Sequence, residues 1–261
     1  MDNVNKTLYI PLYGKSYVSK KGILLQDTKA EEIWAAEGFS LKGRSCSKWL
    51  AYYMGMRSAV FDDWVRQRLA DAPDAIVIHI GCGLDSRVIR VGANCRNWYD
   101  VDFAEVIAER KRYYSESTNY HMIAGDVRDC IWLNTVLKSK RAVVVMEGVS
   151  MYLTTAELSG LLMNLCAHFG QMDLLMDCYT VFAANMSKYK NPINDVGVTR
   201  VYGVDEPKLL ENGVLTFTKE LSMTPPYLID ELGGVEKLIY KKLYAGSFSQ
   251  KLYRLYEFKK Q

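Results

Sequence analysis

The segment Ile78–Arg87, IHIGCGLDSR, constrains this chain more than any other. A short apolar run, Ala75–Ile80, stops at Gly81-Cys82-Gly83 and passes into a helix-forming sequence. A continuous apolar run ending at glycine reads as a strand buried on both faces, which calls for a parallel sheet covered by helices. Gly81 and Gly83 let the backbone pass close to a ligand, and the helix start beyond them offers unpaired N–H donors. The sixth position of a dinucleotide fingerprint is glycine, but here it is Ser86. The turn alone therefore leaves two readings open, a nucleotide-type site and a plain strand–helix connection.

The same rhythm continues along the chain. Asn97–Val101, Tyr120–Ala124, Ala142–Met146 and Asp173–Tyr179 read as strands, and Phe103–Tyr114 as a helix. Thr154 with Glu157 makes a capping box ahead of Leu158, Leu161, Leu162 and Leu165. Val214–Met223 and Leu252–Phe258 bring the strands to seven, with Tyr227–Tyr244 mostly helical between them. Upstream, Thr28 with Glu31 predicts a second capping box. Trp49, Tyr53, Met56, Val60 and Trp64 recur at helical spacing, and Gly55 is the point where that helix could break. The expected fold is α/β, a Rossmann-like seven-stranded sheet with helices on both faces and a helical N-terminal cap. The cap is expected over residues 1–72 and the core over 73–261, with a polar, lid-like insertion near 185–212.

Composition removes other classes. Thirty-three basic residues against thirty acidic ones provide no broad basic field, which disfavours nucleic-acid binding. No apolar run approaches the ~18–20 residues that cross a bilayer, and the N-terminus has no apolar core of a secretory signal. The six cysteines are scattered without a CxxC pair, as in reduced cytosolic proteins. His79, His121 and His168 form no HxxxH or HxH pair, so no metal site is expected. The expected location is the cytoplasm, and the oligomeric state is left open.

Successive strand ends then carry the chemistry. Asp100 and Asp102 close the second strand about 20 residues beyond the glycine turn, where an acid meets ribose hydroxyls in α/β nucleotide sites. Spacing alone does not choose between them, and either would also cap the helix from Phe103. Gly125-Asp126 follows the third strand and Glu147-Gly148 the fourth. Four such ends in order mark the carboxyl edge where open sheets bind ligands.

These stretches resemble the leucine carboxyl methyltransferase family of class I S-adenosylmethionine-dependent methyltransferases, including a bacterial branch of polyketide O-methyltransferases. The resemblance rests on IPLYGKSYV (Ile10–Val18), MRSAVFDDWV (Met56–Val65), IHIGCGLDSRVIRV (Ile78–Val91), WYDVDFAEVI (Trp98–Ile107), AGDVRD (Ala124–Asp129) and VVVMEGVSMYL (Val143–Leu153). It covers roughly residues 8–180 and becomes faint afterwards. It implies that S-adenosyl-L-methionine is the cofactor and that the cap contributes to its site. Gly81, with Gly83 in the same turn, would line its methionine part, and Asp102 would hold the ribose hydroxyls. Asp126 and the Val127 backbone would face the adenine, and Glu147 would sit near the methionyl end. Arg57 would reach the cofactor carboxylate, with Lys15 as a helper; the other reading of Lys15 is a surface salt bridge. Cys82 and Ser86 stand where the family often has Ala or Thr.

The expected reaction is O-methylation of a carboxylate on a small, polyketide-like molecule or a peptide C-terminus. An ionised carboxylate needs no general base, and all three histidines read as structural. Tyr152 and Arg57 are the candidate substrate contacts. Arg200 and Lys188 in the lid-like segment read by default as solvated surface charges, with attraction of an anionic substrate as the other reading. The alternatives are methylation of a hydroxyl or phenol, for which His121 or Tyr152 would serve as base, a non-catalytic S-adenosylmethionine-binding protein, or a nicotinamide-dependent oxidoreductase.

Overall fold

The structure, a computed structural model, describes residues 8–38, 41, 43–92, 97–187, 200–246 and 250–261. Seven strands, β1 (Ile76–Ile80), β2 (Trp98–Asp102), β3 (Tyr120–Ala124), β4 (Arg141–Met146), β5 (Gln171–Tyr179), β6 (Leu215–Leu221) and β7 (Tyr253–Lys260), form one sheet in the order β3-β2-β1-β4-β5-β7-β6. The first five run parallel, while β7 enters antiparallel between β5 and β6. Between β1 and β4 the strand order reverses, which opens a crevice at the carboxyl ends.

Both faces of the sheet are covered, as the buried pattern of β1 requires. On one face, Val77, Val143, Val145 and Leu255 pack with Tyr52, Phe61 and Trp64 of α3 (Lys48–Asp71) and with Leu12 and Val18 of α1 (Tyr9–Lys20). On the other, Ile78, Val144, Leu174 and Phe258 pack with Leu158, Leu161 and Leu165 of α6 (Thr155–His168). The helices preceding β1 thus share a hydrophobic layer with the sheet.

Local sequence explains most element ends. The Thr154–Glu157 capping box of α6 is present, the hydroxyl accepting from the Glu157 N–H at 3.2 Å. The expected box at Thr28 is not the cap. Asp27 caps α2 (Thr28–Glu37), its carboxylate accepting from the Ala30 N–H at 2.8 Å, and Glu31 bonds the Ser19 hydroxyl instead. Nor does Gly55 break α3. A Cβ there would lie 2.8 Å from Val18 Cγ2, so the glycine lets α1 approach closely, as Gly14 does against Met54. The helix expected to reach Tyr114 stops earlier, as α5 (Ala104–Arg110), following α4 (Arg87–Val91) in chain order. Past β5 come α7 (Val181–Met186) and, over the mostly helical stretch expected at 227–244, α8 (Pro226–Asp230) and α9 (Gly234–Leu243), parted at Gly233.

Of the polar segment near 185–212, residues 188–199, including Lys188, lie outside the described residues. Residues following them are fastened to the sheet rim, with Tyr202 N–H donating to Met151 O at 2.8 Å and Val204 N–H to Tyr179 O at 2.7 Å. Arg200 is exposed, and its guanidinium lies 5.3 Å from the Tyr202 ring.

Candidate active site

A cavity of about 700 Å³ opens over the carboxyl ends of the parallel strands. Its wall includes Lys15, Tyr53, Arg57, His79, Gly81, Gly83, Asp85, Asp102, Asp126, Val127, Glu147, Tyr152, Tyr179 and Tyr253. Lys15, Arg57, Gly81, Gly83, Asp102, Asp126, Val127, Glu147 and Tyr152, all named from the sequence, therefore share one surface, whereas Asp100, His121 and Arg200 are not on it and Lys188 lies outside the described residues.

The glycine turn shapes its floor. Gly81 and Gly83 have φ of +68° and +51°, and a Cβ on Gly81 would fall 2.1 Å from Val149 Cγ2. Any side chain there meets both backbone strain and a clash. Ser86, which replaces the fingerprint glycine, bonds Asp27 Oδ1 at 2.5 Å and so ties the cap of α2 to the turn.

The structure separates the two aspartates of β2. Asp100 is completely buried, and its oxygens accept from Trp98 Nε1 at 2.8 Å, Arg110 Nη2 at 2.5 Å and Tyr120 Oη at 2.7 Å, with His79 Nδ1 at 3.2 Å. Burial pushes its carboxyl up, but Arg110 and His79 outweigh burial and hold it below the usual range. Asp102 lies on the cavity. Its oxygens accept one backbone N–H each, Gly83 on Oδ2 and Phe103 on Oδ1, both at 2.8 Å. Burial raises its pKa in spite of those bonds.

Glu147, at the end of β4, is held from two sides. Its Oε1 accepts from Arg57 Nε and Ser58 Oγ, each at 3.0 Å, and Oε2 accepts from Arg87 Nη2. Burial works against the charge, yet Arg57 and Arg87 keep the carboxyl ionised, with a pKa lowered to about 2. Arg57 comes from the middle of α3. Its Nη1 donates to Asp177 Oδ2 and Tyr253 Oη, both at 3.1 Å, while Nη2 makes no hydrogen bond to the described residues. Asp177 on β5 also accepts from the Gly148 N–H at 2.7 Å and the Tyr253 hydroxyl at 2.9 Å, and burial raises its pKa.

Lys15 is not a surface residue: at 3% exposure its ammonium lies 3.1 Å from Asp85 Oδ1. Asp126 is half-buried and paired with Arg128 at 2.5 Å, which lowers its pKa. His121 stacks on Tyr99 at 4.9 Å, away from the cavity-lining residues, and so is not placed to serve as a base there.

Asp177, Tyr253, Tyr53 and Ser58 were not foreseen, and Arg87 was read as part of a motif without a role. Asp177 lies two residues before the end of β5, so an acid search widened slightly inside the strand ends could have found it. Tyr253 carried no local signal, because it arrives on the antiparallel β7.

A sheet in which β7 runs antiparallel between β5 and β6, with a cavity over the β1/β4 reversal, is the architecture of class I S-adenosylmethionine-dependent methyltransferases. Matching that family's pattern over residues 6–166, the chain belongs to the leucine carboxyl methyltransferase family, and it is a methyltransferase. It is 30% identical over 244 residues to the tetracenomycin polyketide synthesis O-methyltransferase TcmP of Streptomyces glaucescens, covering 92% of this chain and 90% of that one. It is 28% identical over 186 residues to the S-adenosyl-L-methionine-dependent methyltransferase dpfgK of Gibberella zeae, covering 66% and 62% of the two chains. Among solved structures, the magnesium protoporphyrin IX methyltransferase of Synechocystis PCC 6803, solved with bound SAH, shares the fold at a TM-score of 0.52. That match has 12% identity and covers 90% of this chain and 95% of the other. No helix among the described residues is long and apolar enough to cross a membrane.

Proposed function

We propose that S-adenosylmethionine binds along the ends of β1 to β4 and that its methyl group passes to a carboxylate oxygen of a small, polyketide-like molecule or a peptide C-terminus. The observation that carries the reading is Asp102. Each of its oxygens accepts one backbone N–H and keeps a lone pair for a ribose hydroxyl. The rest of the donor set fits the same ligand. Arg57 Nη2 and Lys15 suit a carboxylate, the ionised Glu147 suits an ammonium, and the Gly81–Gly83 turn admits close approach of the methionine part. Asp126 and the Val127 backbone then meet the adenine. In this reading the N-terminal helices, residues 1–72, contribute to the site through Lys15 and Arg57.

When bound, the cofactor supplies a methyl group on an electrophilic sulfonium. The chain's own residues orient the acceptor and exclude water. His79 lies on the cavity wall, but its two nitrogens are taken by Asp100 and Arg87. A carboxylate acceptor, ionised above about pH 4–5, needs no base. Tyr152 and Arg57 are the contacts assigned to it, and the polyketide-related function of TcmP supports a small-molecule acceptor.

A hydroxyl acceptor is favoured by one observation, the Tyr253–Asp177 pair. A proton taken by the Tyr253 oxygen would have Asp177 as its next acceptor. The product decides. A methyl ester releases methanol in mild alkali, and its formation stays flat from about pH 6 to 9. An alkali-stable methyl group, formed at a rate that climbs through a pKa, would overturn the carboxylate reading.

A further inference from the structure

Arg87 is completely buried and is not among the cavity-lining residues, yet all three of its side-chain nitrogens are committed. Its Nε donates to Asp62 Oδ1 at 2.7 Å, Nη1 faces His79 Nε2 at 3.1 Å, and Nη2 donates to Glu147 Oε2. A guanidinium only donates, so His79 Nε2 must accept. The imidazole proton is thereby assigned to Nδ1, which donates to Asp100 Oδ1 at 3.2 Å. An unbroken string of carboxylate, imidazole, guanidinium and carboxylate runs from β2 through β1 to the end of β4.

The fold builds this string rather than tolerating it. The β1–β2 register sets His79 beside Asp100, so the sheet fixes the first link. Asp62, from α3, holds the other edge of the guanidinium, and the Phe61 ring lies 5.3 Å from its centre. A fully buried ion network of this kind is weak evidence for stability, since desolvation offsets much of the attraction. What it supplies is direction. Oε1 of Glu147 is occupied by Arg57 and Ser58, whereas Oε2 accepts only from Arg87 among the described residues, leaving a lone pair there.

We infer that Arg87, locked by neutral His79 and Asp62, is a positioning residue that aims Glu147 Oε2 at the ammonium of the cofactor's amino-acid part. The inference rests on the cofactor reading given above. A lysine at this position offers one ammonium that cannot hold Asp62, His79 and Glu147 together.

The test uses two ligands on the intact protein. S-Adenosylhomocysteine carries the amino-acid part, whereas 5′-methylthioadenosine keeps adenine, ribose and sulfur without it. Calorimetry should show Arg87→Lys weakening S-adenosylhomocysteine by about tenfold while methylthioadenosine stays within about twofold. His79→Leu should lose affinity with the same selectivity, and His79→Gln, whose amide can accept from Arg87, should recover most of it. Thermal unfolding of each variant reports whether it folds. Asp102→Ala should weaken both ligands; a parent protein that binds neither would defeat the cofactor reading itself. If that reading stands and Arg87→Lys weakens both ligands equally, or neither, the positioning role is overturned. Should Arg87→Lys not fold, the histidine pair decides, and equal S-adenosylhomocysteine binding by parent, His79→Leu and His79→Gln overturns it.

Discussion

The ionic floor beneath the cavity and the wall facing it use the same residue types to opposite ends. In the floor, Asp62 and Asp100 are fully buried; Asp62 is shared between Arg87 and Arg90, and Asp100 is surrounded by four donors. Arg90 in turn joins Asp27 at 2.6 Å and Asp85 at 2.7 Å. On the wall, among the described residues, Asp102 accepts only two backbone N–H groups and Arg57 holds back one nitrogen. The lesson is that function follows unspent hydrogen-bonding capacity, not charge. A saturated carboxylate fixes its neighbours; one with free lone pairs can receive a ligand.

The largest effect that would break this contrast is loss of a floor carboxylate. Asp100→Ala strands the Arg110 guanidinium without its carboxylate, and denaturant unfolding should show a loss of about 3–5 kcal/mol. If Asp100→Ala keeps parental stability and loses cofactor affinity instead, floor and wall have been assigned the wrong way round.

Asp102→Ala, two residues on, should do the reverse. Calorimetry is expected to show S-adenosylhomocysteine affinity falling by about 1–3 kcal/mol, with a smaller stability change than Asp100→Ala.

Acid sharpens the comparison through the sign of the shifts. Glu147 is depressed from 4.5 to about 2, so its share of stability is present above pH 4.5 and is lost as pH falls toward 2. Asp102 is raised by burial, so its contribution is present below the ordinary carboxylate value and fades as pH rises. Unfolding midpoints followed from pH 6 down to about pH 2 should therefore fall less steeply for Glu147→Gln than for the parent. Parallel curves would remove Glu147 from the acid-sensitive set.

The smallest effect belongs to the aromatic part of the wall. The ring of Tyr179 lies 4.8 Å from that of Tyr253, and Tyr179→Leu should cost about 1 kcal/mol of stability. Cofactor affinity should stay within about twofold, because the charged groups stay in place. A larger loss of S-adenosylhomocysteine binding would show that the aromatic wall also shapes the cofactor's share of the cavity.

Much of this was legible before any coordinates. The pattern of apolar runs and turns yields all seven strands to within a few residues: β1 and β4, buried on both faces, read as apolar runs, and the largely exposed β6 reads by its alternation. The misreadings were local: Asp27 rather than Thr28 caps α2, and Gly55 serves a helix contact rather than a break. The first is a local matter, an Asx cap one residue upstream, and the second depends on what lies opposite in space. A glycine in a helical pattern gives the same signal whether it ends the helix or admits a neighbour such as Val18.

The sequence by itself determined the parallel sheet, the glycine turn and the acids at its carboxyl edge, since all are set by local order and periodicity. Spacing did not choose between Asp100 and Asp102, although the family resemblance pointed to Asp102; the two differ in how many partners reach them. Nor did the sequence bring Tyr253 to Arg57, 196 residues away, or Glu147 to Arg57 across 90. Such contacts exist only once α3 has packed on the sheet and β7 has entered beside β5. Which carboxylate is saturated and which is left open is fixed by that packing, and so it was decided by the tertiary structure alone.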